Sequence, residues 1–298
     1  MSSRNSLLSL YVDLYEPRNL ADASDSCRQQ YRSNIKAFGR WIGRPAAPDD
    51  LTDDNVMAFI RSIRAKGRSP ATANKIRGQI ISLWRFLARK RIVETFPDVP
   101  PLREFRRVPV GWSHEQIDRL FAACASAEGF VDCIPASRWW TALHFVLWDS
   151  GLRIGAAMKL RWEHFDLAGG VLLVPAEIQK QSADQQFPLG DDTVFWLRSI
   201  LQPEREVVFA WAKCYDSLWN HYRRLLIRAG LPADRRSKFH RMRRSHASHL
   251  KAAGGDPTAS LGHSGTRMTQ LHYLDPSIVG GQNAAAMLRR PIVNPPIP

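Results

Sequence analysis

The sequence predicts two domains, a helical one followed by a larger one that is mainly α with a small antiparallel β-sheet. Three observations predict this. Apolar residues recur at helical spacing through residues 20–97, a proline-rich break follows at 96–101, and glycine-flanked apolar runs with strand character appear near 171–188. A length of 298 residues suits two domains. The boundary is expected at 104/105, giving domains of 1–104 and 105–298.

In the first domain, Ser26 to Ile42 reads as one helix and Thr52 to Lys66 as a second, with Thr52 and Asp53 as candidate caps. Ser69-Pro70 opens the longest helix, in which Ile76, Ile80, Leu83, Trp84 and Leu87 form an apolar stripe. Lys75, Arg85 and Arg89 lie off that stripe. A solvated basic face and a nucleic-acid contact are equally good readings of any one of them. Phe96-Pro-Asp-Val-Pro-Pro101 and the arginine-rich stretch after it read as a linker.

The second domain starts near Trp112-Ser113, with Ser113 capping a helix over HEQIDRLFAACAS. A longer apolar helix, about Ser137 to Asp149, ends at Gly151 in the C-cap position. The runs VLLVP, EIQKQ and QFPL, with a polar turn at Ser182-Ala183-Asp184, predict a sheet of two or three strands. From Ser217 the chain returns to helix, ending in proline-rich coil after Arg290.

Lysine and arginine number 42 against 28 acidic residues, a formal net charge of +14. Residues 1–104 carry 18 basic and 11 acidic side chains and the rest 24 and 17, so both parts are net +7. Such a balance points to a polyanion, because neutralised phosphates release counterions. No apolar run approaches the roughly 20 residues that cross a bilayer, and the N-terminus lacks a secretory pattern. A cytoplasmic protein without membrane partners is expected. Cys27, Cys124, Cys133 and Cys214 form no CxxC pair, which suggests neither a zinc site nor a disulfide framework.

Metal-free cleavage of a phosphodiester needs cationic forks on the non-bridging oxygens, proton carriers and a nucleophile. The second domain offers these types in order. Arg153 stands in DSGLRIGAAMKLRW and is expected in the first turn of a helix, near backbone amides that favour phosphate. His240 and Arg243, three apart in FHRMRRSHASHL, would share a helix face. His263 follows in SLGHSG and Tyr273 in MTQLHYLDP.

These segments resemble the signature boxes of the tyrosine recombinase (phage integrase) family. GLR is Gly151-Leu152-Arg153, HxLRH is matched by His240-Arg241-Met242-Arg243-Arg244, LGH is Leu261-Gly262-His263, and the strand-turn lysine appears as Gln179-Lys180-Gln181. Residues 20–97 are similar to the family's helical core-binding domain, including the Ser69-Pro70-Ala71-Thr72 helix start. The order of five elements is specific where each alone is weak.

The resemblance implies the two-domain tyrosine recombinase architecture and a set of roles. Arg153 and Arg243 would clamp the scissile phosphate, and Lys180 would protonate the leaving 5′ oxygen. His240 would assist proton movement at the tyrosine, and His263 would hydrogen-bond the transition state. Tyr273 would attack to give a 3′-phosphotyrosine, with no cofactor, metal or ATP. It further implies double-stranded DNA as partner, a homotetramer on paired sites, an accessory directionality protein, and a C-terminal tail, with Ala284 to Leu288 helical, docking on a neighbouring protomer. Arg235, Arg236, Lys238, Arg241 and Arg244, in a stretch with nine basic residues and one acid, are the expected backbone contacts, joined by Lys75, Arg77 and Arg85.

The match departs from the pattern in three places. Ala156 stands where the family usually carries an acidic residue, so another group must support Arg153. The stretch between Gly254 and Leu261 is about one helical turn short, with a turn at Gly255-Asp256-Pro257, which would shift His263 relative to His240. Tyr273 follows His263 by ten residues rather than the usual nine, leaving His272 at the customary position; one residue rotates a helical side chain by about 100°.

These departures favour an integrase of a mobile element over a chromosome-dimer-resolving enzyme. They are also the best argument for a decayed integrase that only binds DNA, although a mere binder has no need of six reactive side chains. A topoisomerase IB-like nicking-closing enzyme shares the chemistry but not the need for a partner. An RNA-binding helical protein does not account for the ordered boxes.

Overall fold

A computed structural model of the chain describes residues 6–105, 107–179, 183–202 and 204–280. The chain falls into two compact units, Met1–Arg106 and Arg107–Pro298.

The first unit begins earlier than the sequence pattern suggests. Helix α1 runs from Leu7–Leu10 through a π-turn at Tyr11–Tyr15 to Glu16–Asn19. Leu7, Tyr11 and Tyr15, four apart, lie along one buried face, and Arg32 reaches from the next helix to hold Glu16 at 2.7 and 3.0 Å. Helices α2 (Asp25–Ile42), α3 (Asp53–Ala65) and α4 (Pro70–Arg89) complete the unit, each opened by a hydroxyl cap: Ser24, Thr52 and Ser69 accept the amides of Cys27, Asn55 and Thr72. Phe38, Phe59, Leu83, Trp84 and Leu87 fill the core.

In the second unit, Ser113 caps α5 (His114–Ala125) in a reciprocal capping box with Gln116. A short hairpin, β1 (Phe130–Val131) and β2 (Ile134–Pro135), leads into α6 (Ala136–Ser150). Trp139, Trp140, Leu143, Val146 and Leu147 bury α6 nearly all round, so it forms the spine of the unit. Gly151 ends it in the left-handed conformation at φ 58°. After the single turn α7 (Ile154–Ala157), strands β3 (Phe165–Asp166), β4 (Val171–Val174) and β5 (Gln185–Pro188) form an antiparallel sheet in that order. Its register pairs Phe165 with Leu172 and Leu172 with Phe187, all three facing the core. In the described part of EIQKQ, Ala176–Ile178 is a 3₁₀ turn and not a strand.

The remaining helices are α8 (Asp191–Arg198), α9 (Tyr215–Arg228), α10 (His240–Ala252), α11 (Pro257–Ser260), α12 (Thr266–His272) and α13 (Pro276–Val279). α10 packs directly on α6, which brings the two arginine-bearing motifs to one place. Pro257 starts α11 and Asp256 caps it, so the shortened stretch keeps one helical turn.

Candidate active site

Arg153 leaves the chain where α6 has just ended. It is the N-cap of α7, with an extended backbone (φ −69°, ψ 138°), so it precedes the helix instead of lying in its first turn. Gly151 makes the reversal and the buried Leu152 anchors it. The charge of Arg153 helps lower the pKa values of His240, Arg243 and His263, which places its guanidinium among them.

Arg243 is the centre of the arrangement and is only 3% exposed. Nη1 donates to the Gly151 carbonyl at 2.7 Å and Nη2 to the Leu261 carbonyl at 3.0 Å. Those two bonds tie the GLR and LGH segments to α10. Nη2 also lies 3.4 Å from Nε2 of His263. Burial, and then the like charge of Arg153, bring its pKa down to about 10. Among the described residues no carboxylate pairs with Arg243, and its buried Nε has no hydrogen-bond partner. A buried cation without a carboxylate partner favours an anion, to which Nε offers a further donor.

Tyr273 is packed into this cluster. Its ring centre is 5.1 Å from that of His240 and 4.7 Å from that of His263, and the Arg243 guanidinium lies 5.4 Å from it. The tyrosine is 6% exposed, whereas His272 is exposed. The helix stops one residue short of the tyrosine: Tyr273 is the C-cap of α12 and has left helical geometry (φ −124°, ψ −28°). Its backbone is fixed by Ser248, whose hydroxyl donates to the Tyr273 carbonyl at 3.1 Å and accepts the Asp275 amide at 2.8 Å. Asp275 in turn accepts the Gly111 amide at 2.8 Å.

The two histidines are held neutral. The pKa of His240 is lowered to about 4 by loss of solvent and by Arg244, Arg243 and Arg153. Since His240 opens α10 with an exposed side chain, the three guanidiniums are the firmer cause. His263 is lowered to about 4 by desolvation, then by Arg243, Arg153 and His272. Its Nδ1 lies 2.8 Å from the Thr269 hydroxyl, and an arginine can only donate to Nε2, so Nδ1 carries the proton in the free site. An anion arriving at Arg243 opposes the positive field and draws both imidazoles toward their protonated forms.

The shortened stretch before His263 therefore does not separate it from His240: both rings flank Tyr273. Lys180 lies outside the described residues, as do Ala284 to Leu288. The strand leading away from Lys180 is nevertheless joined to the cluster, because Gln185 of β5 donates to the Ser260 carbonyl at 3.3 Å.

The expected DNA-contacting cations divide. Lys75, Arg85, Arg235 and Arg236 are exposed. Arg77 turns inward, with Nε 2.8 Å from the Val99 carbonyl and Nη2 on the same oxygen, and burial and then Arg85 lower its pKa. Its fork braces the segment after α4, which removes the main ground for counting it as a phosphate contact. Lys238 sits 4.9 Å over the Trp219 ring, and Arg241 stacks 3.4 Å from the Trp112 ring centre while donating to the Gly111 carbonyl. Arg244 donates to the His272 carbonyl at 3.1 Å. These three are partly committed to holding the site together. Sequence reasoning missed Ser248, Thr269 and Asp275, whose partners lie on other elements.

Similarity to known proteins points to one family. A family model described as the phage integrase family matches residues 112–277. The chain is 25% identical over 295 residues to the tyrosine recombinase XerD of Yersinia pestis, covering 90% of this chain and 92% of that one. Its fold is similar to the Tn1549 transposon integrase in complex with a circular intermediate DNA, with a TM-score of 0.70, 14% identity, and 89% and 94% of the two chains covered. It is also similar to the lambda integrase in a tetramer bound to a Holliday junction, with a TM-score of 0.66, 20% identity, and 87% and 76% covered.

Proposed function

Because the chain belongs to the phage integrase family, we propose that it is a site-specific DNA recombinase that cuts and rejoins double-stranded DNA through a 3′-phosphotyrosine at Tyr273. The observation that carries this reading is the buried Arg243 guanidinium, which among the described residues has no carboxylate partner and keeps Nε unbonded, beside Arg153 and with the Tyr273 ring packed on both His240 and His263.

In the reaction so read, Arg243 and Arg153 hold the non-bridging oxygens of the scissile phosphate. Phosphate charge increases in the pentavalent transition state, where fixed donors gain most. The Tyr273 oxygen attacks phosphorus, and the bond to the 5′ oxygen breaks. His240 takes up the phenolic proton, and Lys180 supplies one to the departing oxygen. Because the phosphotyrosine is itself a phosphodiester, a 5′-hydroxyl from a second DNA reverses the step without ATP. His263, kept in place by Thr269, donates to the phosphate once its charge has arrived.

The mobile-element role rests on the motif departures at Ala156 and around the tyrosine. A homotetramer on two paired sites, an accessory directionality protein and a tail docking in trans complete the reading. Among the described residues no helix is long and apolar enough to cross a membrane.

Nicked suicide DNA carrying a bound site tests the central claim, with wild type, Tyr273→Phe and His272→Ala compared. A slow-migrating, protease-sensitive adduct lost only in Tyr273→Phe is expected. No adduct from wild type on a site it binds tightly would make the chain a DNA-binding protein without the reaction.

A further inference from the structure

The two sides of the phosphate cluster are joined by a side chain with no role in the reaction above. His246 lies three residues after Arg243 on α10 and is 7% exposed. Its Nδ1 is 2.5 Å from the Trp148 carbonyl, near the end of α6, and its Nε2 is 2.8 Å from the Ser260 hydroxyl, at the end of α11. A carbonyl only accepts, so Nδ1 carries the proton and Nε2 accepts from Ser260.

Both partners stand just ahead of reactive residues. Trp148 precedes Arg153 by five positions and Ser260 precedes His263 by three. Gly151 makes room for the link: its φ is +58°, and a Cβ there would come within 2.5 Å of Cδ2 of His246. The imidazole therefore lies flat against the turn that delivers Arg153, where only glycine lets it fit. Ala156 next to that turn is apolar and buried and offers no polar support; the turn is held to α10 through His246 and the Arg243–Gly151 bond.

We propose that His246 is a positioning residue for strand cleavage, setting the distance between the Arg153 turn and the His263 turn so that both meet one phosphate. The inference rests on reading the cluster as a DNA-cleaving site. His246 acts through the backbone of the two turns rather than on the DNA. Its loss should slow the chemical step and leave site binding intact.

The test compares wild type, His246→Phe, His246→Asn, Ser260→Ala and the His246→Phe/Ser260→Ala double variant. Each is assayed for single-turnover cleavage of nicked suicide DNA at saturating protein, for site affinity by anisotropy, and for melting temperature. His246→Phe keeps a flat ring and loses both bonds. It should cleave about 10- to 100-fold more slowly, the usual result of misplacing reacting groups by an ångström or less.

His246→Asn, which retains a donor for the Trp148 carbonyl, should recover part of the rate. Ser260→Ala should slow cleavage by itself and add nothing on top of His246→Phe, because both act through one bond. Additive losses, or His246→Phe cleaving at the wild-type rate, overturn the proposal. Should His246→Phe fail to fold, Ser260→Ala decides: slower cleavage at an unchanged melting temperature supports it, and an unchanged rate overturns it. Absence of an adduct from wild type on a bound site removes the cleavage reading and this inference together, whereas an active wild type matched by His246→Phe removes this inference alone.

Discussion

Replacing Arg243 with lysine keeps the charge and removes the fork. The guanidinium commits two arms to the carbonyls of Gly151 and Leu261, at 2.7 and 3.0 Å, and keeps a buried Nε in reserve. An ammonium is one point charge on a flexible stem and cannot serve both carbonyls and a phosphate at once. In the free protein, leaving one buried acceptor without a donor costs about 1–3 kcal/mol. In the reaction, losing one aligned donor at the developing phosphate charge costs about 3 kcal/mol, or roughly 100-fold in rate.

The two losses can be measured apart. Urea unfolding reports the first, and single-turnover cleavage of suicide DNA by saturating folded protein reports the second. We expect cleavage to fall about 100-fold while site affinity changes by less than about fivefold, since affinity is spread over many phosphate contacts. A folded Arg243→Lys protein that cleaves within about threefold of wild type would refute the assignment of Arg243 to the phosphate.

Two further outcomes follow from the charge placement. Burial lowers the pKa of His144 and of His246 from 6.5 to about 4, so the native state holds both neutral while the unfolded chain binds their protons. Their contribution to stability is complete above the unfolded value and is lost as pH falls toward 4; at pH 5 each accounts for about 2 kcal/mol. Urea unfolding at pH 7 and pH 5 should differ by about 4 kcal/mol from these two groups, and His246→Phe should reduce that difference by about half. Equal pH dependence in the two proteins would remove His246 from the account. For DNA binding, Arg235→Ala and Arg236→Ala should each lower the slope of log affinity against log salt by about 1. Arg77→Ala should leave that slope alone and destabilise the first unit, because its fork serves the Val99 carbonyl; a reduced slope with normal stability would show instead that Arg77 reaches phosphate.

What could be read from the sequence was whatever depends on neighbours along the chain. Ser113 and Gly151 mark their helix ends because capping is local. His240 and Arg243 meet at one place because three residues span nearly one turn. The structure of the tyrosine segment was harder, since helical phase predicts the wrong side for Tyr273 once the helix has ended at His272. His246 carries no mark in the sequence, because its partners lie 98 and 14 residues away. Arg77 counted among the expected DNA contacts for the same reason, its carbonyl partner lying 22 residues on, within the proline-rich break. The helix over residues 7–19 did leave a trace in the fourfold spacing of Leu7, Tyr11 and Tyr15, but the stretch is short and contains Pro17.

The bond between Asp275 and the Gly111 amide spans 164 residues of sequence. Closing a contact of that reach costs more chain entropy than closing a local one. Arg243 reaches the Gly151 carbonyl across 92 residues and the Leu261 carbonyl across 18, while the segment carrying Tyr273 is tied to Ser248 on α10 and to Gly111 ahead of α5. Breaking the Asp275–Gly111 bond would release the Asp275 end of the tyrosine segment and leave the Arg243 bonds to Gly151 and Leu261 in place. On the function proposed above, such a molecule could still hold a phosphate with its nucleophile out of register.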